Sequence, residues 1–167
     1  MKIKITIKSI FGKVLFECEK ENNTIKDALE EAYLSGANLS RAYLSGADLS
    51  GADLNKFKYL FQIIPMEGSF IAWKKLANNC LAKIEIPSKS PRTFSVIGRK
   101  CRAKYVKTLK IWNETGKEIK EMNGTHDCYT LYKVNRLTYS DKWDNNPLIE
   151  CTYGIHFFIS KQEAINW

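Results

Sequence analysis

The residues with the clearest chemical potential are positively charged, and they are concentrated in the middle third of the chain. The 167 residues carry a formal net charge of +8. Residues 56–110 contain 13 Lys and Arg against 2 Asp and Glu, whereas acids slightly outnumber bases on either side. A local positive field favours an anionic partner, such as nucleic acid, a nucleotide or an acidic protein surface. The alternative interpretation is a solvated lysine surface that binds nothing.

Within this basic third, residues 99–112 read RKCRAKYVKTLKIW and alternate between two kinds of side chain. From Cys101 onward the odd positions are apolar apart from Lys107, and the even positions are mostly basic. This period of two predicts one long strand whose odd face is buried. Its even positions would then form a row of cations on one side of the sheet, comprising Lys100, Arg102, Lys104 and Lys110.

The loop before this strand adds hydroxyl groups to the cations. Residues 87–95 read PSKSPRTFS, and residues 98–100 read GRK. Hydroxyls, backbone N–H groups and guanidinium groups are the donors that bind phosphate oxygens. No Walker or dinucleotide-binding glycine pattern accompanies them, so an ordinary basic loop remains the alternative. The predicted anion-binding or nucleic-acid-binding residues of both segments are Lys89, Arg92, Arg99, Lys100, Arg102, Lys104 and Lys110.

Histidine and cysteine could support other chemistry, but their spacing does not favour it. Zinc could be bound only by combining two distant pairs of ligands, namely His126 with Cys128 and Cys151 with His156. Neither pair has the spacing of a familiar zinc finger or ribbon. A cysteine nucleophile needs an exposed thiol beside a base, and the alternation places Cys101 inside. We therefore predict no metal, no cofactor and no catalytic residue, and we expect His156 and Trp73 to line a ligand pocket.

A different pattern sets the architecture of the first third. Residues 32–56 read AYLSG ANLSR AYLSG ADLSG ADLNK, so Ala and Leu recur every five residues. Neither a helix nor a strand would keep these leucines on one face, because a repeat of five matches neither period. A chain that makes a corner after each block would bury them all, with Ser, Gly, Asn and Asp at the corners. The predicted core of this square coil is Leu34, Leu39, Leu44, Leu49 and Leu54.

Tandem A-(N/D)-L-S-G blocks resemble the pentapeptide-repeat family. The resemblance implies a short right-handed quadrilateral β-helix, in which four blocks make one coil. Five blocks make little more than one coil, so flanking structure must cap the segment. The DNA mimicry of long family members is not expected here. It needs a long acidic rod, whereas this segment is short and belongs to a basic chain.

The segments around the repeats supply the remaining elements. Residues 2–8 and 14–18 predict a β-hairpin, and Thr24 is the expected N-cap of an amphipathic helix that begins at Ile25. Further strands are predicted at 61–64, 70–73, 81–86, 129–134 and 154–159, with a terminal helix over 161–167. We predict a mainly β protein with some α structure, of class α+β. Its parts would be the hairpin and capping helix (1–31), the repeat coil (32–60) and a β-rich C-terminal domain with a basic face (61–167).

The chain as a whole resembles a phage-encoded family that joins a short pentapeptide-repeat segment to a C-terminal domain of unknown function. The motifs are 73–75 (WKK), 82–87 (AKIEIP), 98–103 (GRKCRA), 150–151 (EC), 154–158 (GIHFF) and 162–164 (QEA). The resemblance implies a phage setting. It implies no activity, because none is assigned to that family.

Two functions are expected from these features. The first, which the sequence favours, is a non-catalytic phage accessory protein whose basic face binds RNA, DNA or a host protein or ribonucleoprotein complex. A counter-defence inhibitor of the anti-CRISPR type would act in this way. The second is a small enzyme or binding domain for a nucleotide or phosphorylated ligand in the C-terminal domain.

Two expectations concern location and assembly. No run approaches the roughly 18 apolar residues of a membrane span, and no secretory leader is evident, which predicts a protein of the host cytoplasm without a membrane partner. The open end of a short coil could pair with a second copy to form a homodimer.

Overall fold

The computed structural model of the protein describes residues 1–9, 11–40, 42–44, 53–96, 98–126 and 128–167, with the backbone alone for residues 54, 55 and 58. The chain divides into two compact units. Unit 1 comprises Met1–Ile63 and Ser95–Arg99, and unit 2 comprises Ile64–Phe94 and Lys100–Trp167. The described residues are mainly β with a few short helices, which confirms the predicted α+β class. The three predicted parts, 1–31, 32–60 and 61–167, stay a prediction.

Unit 1 begins with the predicted hairpin. It consists of β1 (Lys2–Lys8) and β2 (Val14–Glu21), which pair antiparallel along their length. The alternation of lysine with β-branched residues in β1 suits a strand that is solvated on one face. Ile7 is buried, and the register shifts between Ile7 and Lys8, where the strand ends.

Helix α1 (Ile25–Leu34) follows and begins where the sequence predicts. The Thr24 hydroxyl accepts a hydrogen bond from the Asp27 N–H, and the Asp27 carboxylate accepts one from the Thr24 N–H. This capping box satisfies two backbone donors at the start of the helix. The buried face of the helix comprises Ala28, Leu29 and Ala32.

The helix extends into the first repeat, and this changes the position of one predicted core leucine. Leu34 is the last residue of α1 and is 79% exposed, so its assignment to the core was wrong. It lies two residues beyond the buried Ala32, which places it about 200° further around the helix axis. A repeat of five cannot direct a leucine inward while the backbone is still helical.

Two other leucines of the repeat are buried as the pattern predicts. Leu39 is 0% exposed and Leu44 is 4% exposed. Leu49 lies outside the described residues, and so does the side chain of Leu54. Among the described residues no sheet closes on itself or forms a solenoid. The quadrilateral coil therefore stays a prediction.

Two short helical turns follow the repeats and end at Phe61. They are α2 (Leu54–Phe57) and a 3₁₀ helix (Lys58–Phe61). Residues 62–64, most of the strand predicted over 61–64, have no regular secondary structure, so the strand prediction was wrong. Buried residues in this stretch recur at i, i+3, i+4 and i+7, which is the spacing of a helix. They are Phe57, Leu60, Phe61 and Ile64.

Unit 2 is built from antiparallel strands. In chain order they are β3 (Phe70–Lys75), β4 (Leu81–Ile86), β5 (Arg92–Phe94), β6 (Cys101–Ala103), β7 (Tyr105–Trp112), β8 (Glu118–Ile119), β9 (Glu121–Asn123), β10 (Leu131–Lys133), β11 (Leu137–Tyr139) and β12 (Ile155–Phe157). A five-stranded sheet has the order β11-β7-β4-β3, with β8 also paired to β7. A three-stranded sheet has the order β12-β6-β5, and β10 pairs with β9. The strands predicted at 70–73, 81–86, 129–134 and 154–159 are confirmed, although only 81–86 has the predicted ends.

The single strand predicted over 99–112 is two strands in different sheets. β6 ends at Ala103 and β7 begins at Tyr105, with Lys104 between them. β6 is the central strand of the three-stranded sheet, and all three of its residues are buried. The prediction was wrong because the alternation of side-chain types continues across the break.

A bulge in β7 moves its buried face from even to odd positions. Lys83 of β4 pairs with Lys110. The next residue of β4, Ile84, pairs with Thr108. Leu109 is therefore the extra residue of a β-bulge. The buried residues of β7 on the two sides of the bulge are Val106, Thr108 and Ile111.

The last described element is α3 (Lys161–Asn166), which agrees with the predicted terminal helix. A capping box between Ser160 and Glu163 closes its N-terminus. Its buried Ala164 packs against a small apolar cluster of Leu81, Phe158 and the half-buried Trp73. None of the described helices has the length and apolar character needed to cross a membrane.

The contrast between two repeat leucines provides a matched pair of substitutions. Leu39→Ala removes a fully buried side chain and is expected to lower the free energy of unfolding by about 2–5 kcal/mol. Leu34→Ala removes an exposed side chain and should change it by less than about 0.5 kcal/mol. Urea unfolding followed by circular dichroism measures both values. Equal losses in the two variants would show that the burial assignment is wrong.

Candidate functional site

Three cations of the basic third lie inside unit 2 rather than on its surface. Arg92, Lys100 and Arg102 are exposed by only 6%, 1% and 0%. Burying a charge is costly unless the charge finds partners with good geometry. The partners of these three side chains define the candidate site.

Arg92 lies in β5, and its guanidinium group binds backbone carbonyls of two neighbouring stretches of chain. Its Nε and Nη groups donate at 2.6–3.4 Å to the carbonyl oxygens of Pro65, Gly68, Pro87, Ser88 and Ser90. Burial lowers the pKa of Arg92, but a guanidinium group stays charged in proteins. Arg92 therefore fixes residues 65–68 and 87–90 and is not available on the surface.

Arg102 lies in β6 and organises residues 144–150, which have no regular secondary structure. Burial lowers the pKa of Arg102, and the nearby charge of Asp144 partly offsets that effect. Its described hydrogen-bond partners are backbone carbonyls rather than carboxylates. The Nη groups donate to the carbonyl oxygens of Asp144, Asn146, Ile149 and Glu150.

Gly154 brings the chain from this segment back to the three-stranded sheet. Its φ is +132°, a backbone conformation that other residues rarely adopt. A Cβ at this position would lie 3.1 Å from the Trp143 ring and 3.3 Å from the Cβ of Arg102. The glycine therefore allows β12 to pair with β6, which places His156 opposite Arg102.

Lys100 is the buried cation with the weakest compensation. Its Nζ lies 2.9 Å from the Cys151 Sγ and 3.3 Å from the centroid of the Trp167 ring. Among the described residues, no carboxylate forms an ion pair with Lys100. The ammonium group of Lys100 is almost fully removed from water, and its partners are a thiol and an aromatic ring.

Lys100 and Cys151 line a cleft of about 910 Å³ within unit 2. The described lining contains one acidic residue, Asp141, against four lysines, namely Lys74, Lys75, Lys100 and Lys142. It also contains the aromatic rings of Tyr132, Tyr153, Phe158 and Trp167. The described walls are therefore positively charged and rich in aromatic surface.

His156 lines this cleft in its neutral form. Its Nε2 lies 2.8 Å from the Thr152 carbonyl oxygen. Because a carbonyl oxygen can only accept, Nε2 carries the proton and Nδ1 carries the lone pair. Burial lowers the pKa of His156 to about 4, and the charges of Lys74, Lys100 and Arg102 act in the same direction. The imidazole consequently adds no charge to the cleft at neutral pH.

Trp73, the other residue predicted to line a ligand pocket, is not part of the described lining of this cleft. It stacks on Trp112, with ring centroids 5.9 Å apart. The two rings lie on the five-stranded sheet, where Trp73 belongs to β3 and Trp112 to β7.

The remaining predicted cations differ in their exposure and in the unit to which they belong. Lys89, Lys104 and Lys110 are exposed, whereas Arg99 belongs to unit 1 and is half-buried. Lys110 Nζ lies 2.7 Å from a carboxylate oxygen of Glu118. Whether these residues bind an anion or nucleic acid stays a prediction.

The predicted row of four exposed cations was wrong in two of its members. Lys100 and Arg102 are buried because β6 is covered on both faces, as a central strand can be. Lys104 and Lys110 are exposed, but Lys104 lies between β6 and β7, and Lys110 lies within β7, in the other sheet. A period-two pattern locates a strand without showing how many of its faces are covered.

Of the cleft lysines that the sequence analysis missed, Lys74 could have been found by different reasoning and Lys142 could not. Lys74 lies two residues after the buried Ala72 and therefore on the same face of β3. A charged residue on the buried face of a strand is the sequence signal that could have identified it. Its Nζ donates to the His156 carbonyl oxygen at 3.1 Å. Lys142 lies in an irregular segment distant in sequence, and no pattern marks it.

The cysteines and histidines do not assemble a metal site in the part of the chain that the structure describes. No group of three or more His, Cys, Asp or Glu able to hold a metal ion occurs there. None of the five cysteines, all of which the structure describes, forms a disulfide, and Cys101 is buried as the alternation predicts. Burial raises the pKa of the Cys80 thiol.

Comparison with known families assigns both parts of the chain. The family described as pentapeptide repeats (8 copies) matches residues 28–57, which confirms that part of the resemblance. A family of unknown function, DUF5758, matches residues 60–164 and so more than half of the chain. The chain belongs to DUF5758. No curated protein and no solved structure matches the chain. Both buried arginines and nearly the whole cleft lining lie within the DUF5758 region.

The carbonyl contacts of Arg102 require a guanidinium group at this position, and a positive charge of another shape would not replace them. Arg102→Lys keeps the charge but loses the planar fork, so several carbonyls lose their donors. We expect the free energy of unfolding to fall by about 2–4 kcal/mol. The exposed Lys104→Gln should change it by less than about 0.5 kcal/mol. Urea unfolding compares the two, and an Arg102→Lys protein as stable as the wild type would contradict the assigned role.

Proposed function

We propose that the DUF5758 domain binds a small phosphorylated ligand of the nucleotide class in the positive cleft. The observation that carries the proposal is Lys100, which is 1% exposed and forms no ion pair with a carboxylate among the described residues. A buried charge in this setting is stabilised when an anion reaches it. Lys100 lines the cleft, which gives such an anion a route to the ammonium group.

Three further lysines support an anionic ligand. Lys74, Lys75 and Lys142 line the same cleft, and like charges in a concave site add to a strong local potential. Lys74 and Lys75 are held in place because they donate to the backbone carbonyls of His156 and Ile165. Lysine is a common phosphate ligand, acting as a point charge rather than as a fork.

The aromatic walls favour a nucleotide over inorganic phosphate alone. Tyr153 and Trp167 line the cleft and are 55% and 52% exposed, so they provide π faces on which a base could stack. The cleft volume of about 910 Å³ lies within the range of roughly 300–1,000 Å³ typical of small-molecule sites. The combination of phosphate-binding charge and stacking surface is what a nucleotide requires.

Thermal unfolding of the full chain tests this proposal with ATP as the probe, beside adenosine and inorganic phosphate. We expect ATP to raise the melting temperature by mass action, and the two fragments to raise it less. Lys100→Met should weaken ATP binding about tenfold or more in a calorimetric titration, equivalent to at least ~1.4 kcal/mol. The exposed Lys142→Met serves as a second cleft variant in case Lys100→Met folds poorly, and Lys104→Met is the control outside the cleft. Stabilisation by none of the three probes would refute the proposal.

Nucleic-acid binding by the exposed part of the basic segment is the second candidate function. Its support is the excess of 13 bases over 2 acids in residues 56–110, together with the exposure of Lys89, Lys104 and Lys110. On this proposal the chain is a phage accessory protein in the host cytoplasm that acts on a host protein or ribonucleoprotein complex, as a counter-defence inhibitor would. The resemblance of the chain to phage-encoded proteins supports that setting.

The repeat segment is proposed to form a short right-handed quadrilateral β-helix. The family match over residues 28–57 and the burial of Leu39 and Leu44 support this proposal. The open end of such a coil would offer unpaired backbone groups to a second copy of the chain. The repeat segment would then contribute to assembly rather than to ligand binding.

Salt dependence tests the second candidate function. Three lysine contacts to phosphate should reduce the affinity for RNA or DNA by roughly 20- to 40-fold between 50 and 200 mM salt. Lys89→Gln should lower the slope of that dependence by about one contact. Fluorescence anisotropy with labelled oligonucleotides measures both quantities. Affinity that is independent of salt would rule this function out.

A further inference from the structure

We propose that the outer face of the five-stranded sheet in unit 2 binds single-stranded nucleic acid. The proposal rests on the second candidate function and deepens it, because it assigns a surface and a ligand class to nucleic-acid binding. The outer face is the set of side chains on β3, β4, β7 and β11 that point away from the buried side of the sheet. Its part on β7 and β11 contributes no residue to the described lining of the cleft that holds Lys100.

Strand register separates the two faces of this sheet. The inner face is buried and includes Ala72, Ala82, Ile84, Val106 and Thr108. Neighbouring residues point the opposite way. Trp73, Lys83 and Lys110 therefore form one row across β3, β4 and β7 of the outer face. The bulge at Leu109 keeps residues 105 and 107 on the same face as residues 110 and 112, although the parity of their numbers differs.

Two aromatic pairs lie on the outer face. Trp73 and Trp112 stack with centroids 5.9 Å apart at an interplanar angle of 28°. Tyr105 and Tyr139 are paired across β7 and β11, with centroids 5.1 Å apart. Tyr139 is 57% exposed. The α3 helix packs against Trp73, so the open part of the face is the side formed by β7 and β11.

Lysines alternate with these rings. Lys83 and Lys110 are directly opposite each other, and like charges in that arrangement destabilise a sheet unless an anion compensates them. Lys107 lies between Glu85 and Leu137 in the adjoining row. Lys110 is paired with Glu118 at 2.7 Å. The described outer face keeps more lysines than glutamates, which suits a polyanion.

The spacing of rings and cations favours a single strand over a duplex. Tyr105 and Trp112 are seven residues apart on β7, which corresponds to roughly 23 Å of strand at about 3.3 Å per residue. Aromatic side chains bind nucleic acid by stacking on bases, and bases in a duplex are already stacked on each other. Lysines beside the rings would contact the phosphates that join successive bases. The side of the face formed by β7 and β11 presents both groups to a flexible strand.

Fluorescence anisotropy with a labelled 12-nucleotide oligo(dT) and the full chain tests the inference. Tyr139→Ala is expected to weaken binding roughly 5- to 150-fold, which is the effect of losing one stacked base. Tyr139→Phe keeps the aromatic ring and should bind as the wild type does. Lys107→Gln should lower the salt slope by about one contact. Tyr43→Ala removes a 61% exposed ring from unit 1 and is the matched control.

The outcomes separate this inference from the function on which it rests. If no oligonucleotide binds, both the second candidate function and the sheet-face site fail. If oligo(dT) binds but Tyr139→Ala and Lys107→Gln bind as the wild type does, nucleic-acid binding stands and this surface is overturned. A 12-base-pair duplex that binds as tightly as the single strand would also overturn it, because stacking would then play no part.

Discussion

The buried guanidinium group of Arg102 is the constraint on which the DUF5758 domain depends most. It is 0% exposed, and its Nη groups donate to four backbone carbonyls of residues 144–150. Those residues form no helix or strand, so their carbonyls have no ladder of backbone donors. Cys151 and His156 follow directly, and both line the cleft. The wall of the cleft is therefore positioned by one side chain, in the same way that Arg92 positions residues 65–68 and 87–90.

Carbonyl partners have an electrostatic consequence that carboxylate partners would not have. They satisfy the donors of a guanidinium group without cancelling its charge. The positive charge of Arg102 therefore remains in the interior. Burial lowers the pKa of His156 most, and the charges of Lys74, Lys100 and Arg102 lower it further. This interior charge and the lysines of the outer sheet face both favour anions. The two proposed ligands, a small phosphorylated molecule in the cleft and a single strand on the sheet, arise from one basic segment of sequence but depend on different residues.

The sequence predicts elements whose signals are local and misses contacts that join distant segments. The capping box at Thr24 and the strand at 81–86 can be read from a few neighbouring residues, and both are confirmed. The break at Lys104 cannot be read from neighbouring residues, because the alternation of side-chain types continues across it while the backbone passes from one sheet to the other. Arg102 consequently looks like a surface cation, although its partners lie more than forty residues away. Of the predicted site residues, only Lys100 and His156 are in the described lining of the cleft. The remaining cleft lysines come from β3 and from an irregular segment.

Hydrogen exchange measured by mass spectrometry on the full chain tests the central role of Arg102 most directly. The amide of Asp144 donates to the Tyr153 carbonyl, and other amides of this segment also have partners in it. If Arg102 holds the segment, Arg102→Lys should accelerate exchange over residues 144–153 far more than in the central strand Leu81–Ile86. Exchange over 144–153 that is unchanged, or that rises only as much as in that strand, would contradict the account.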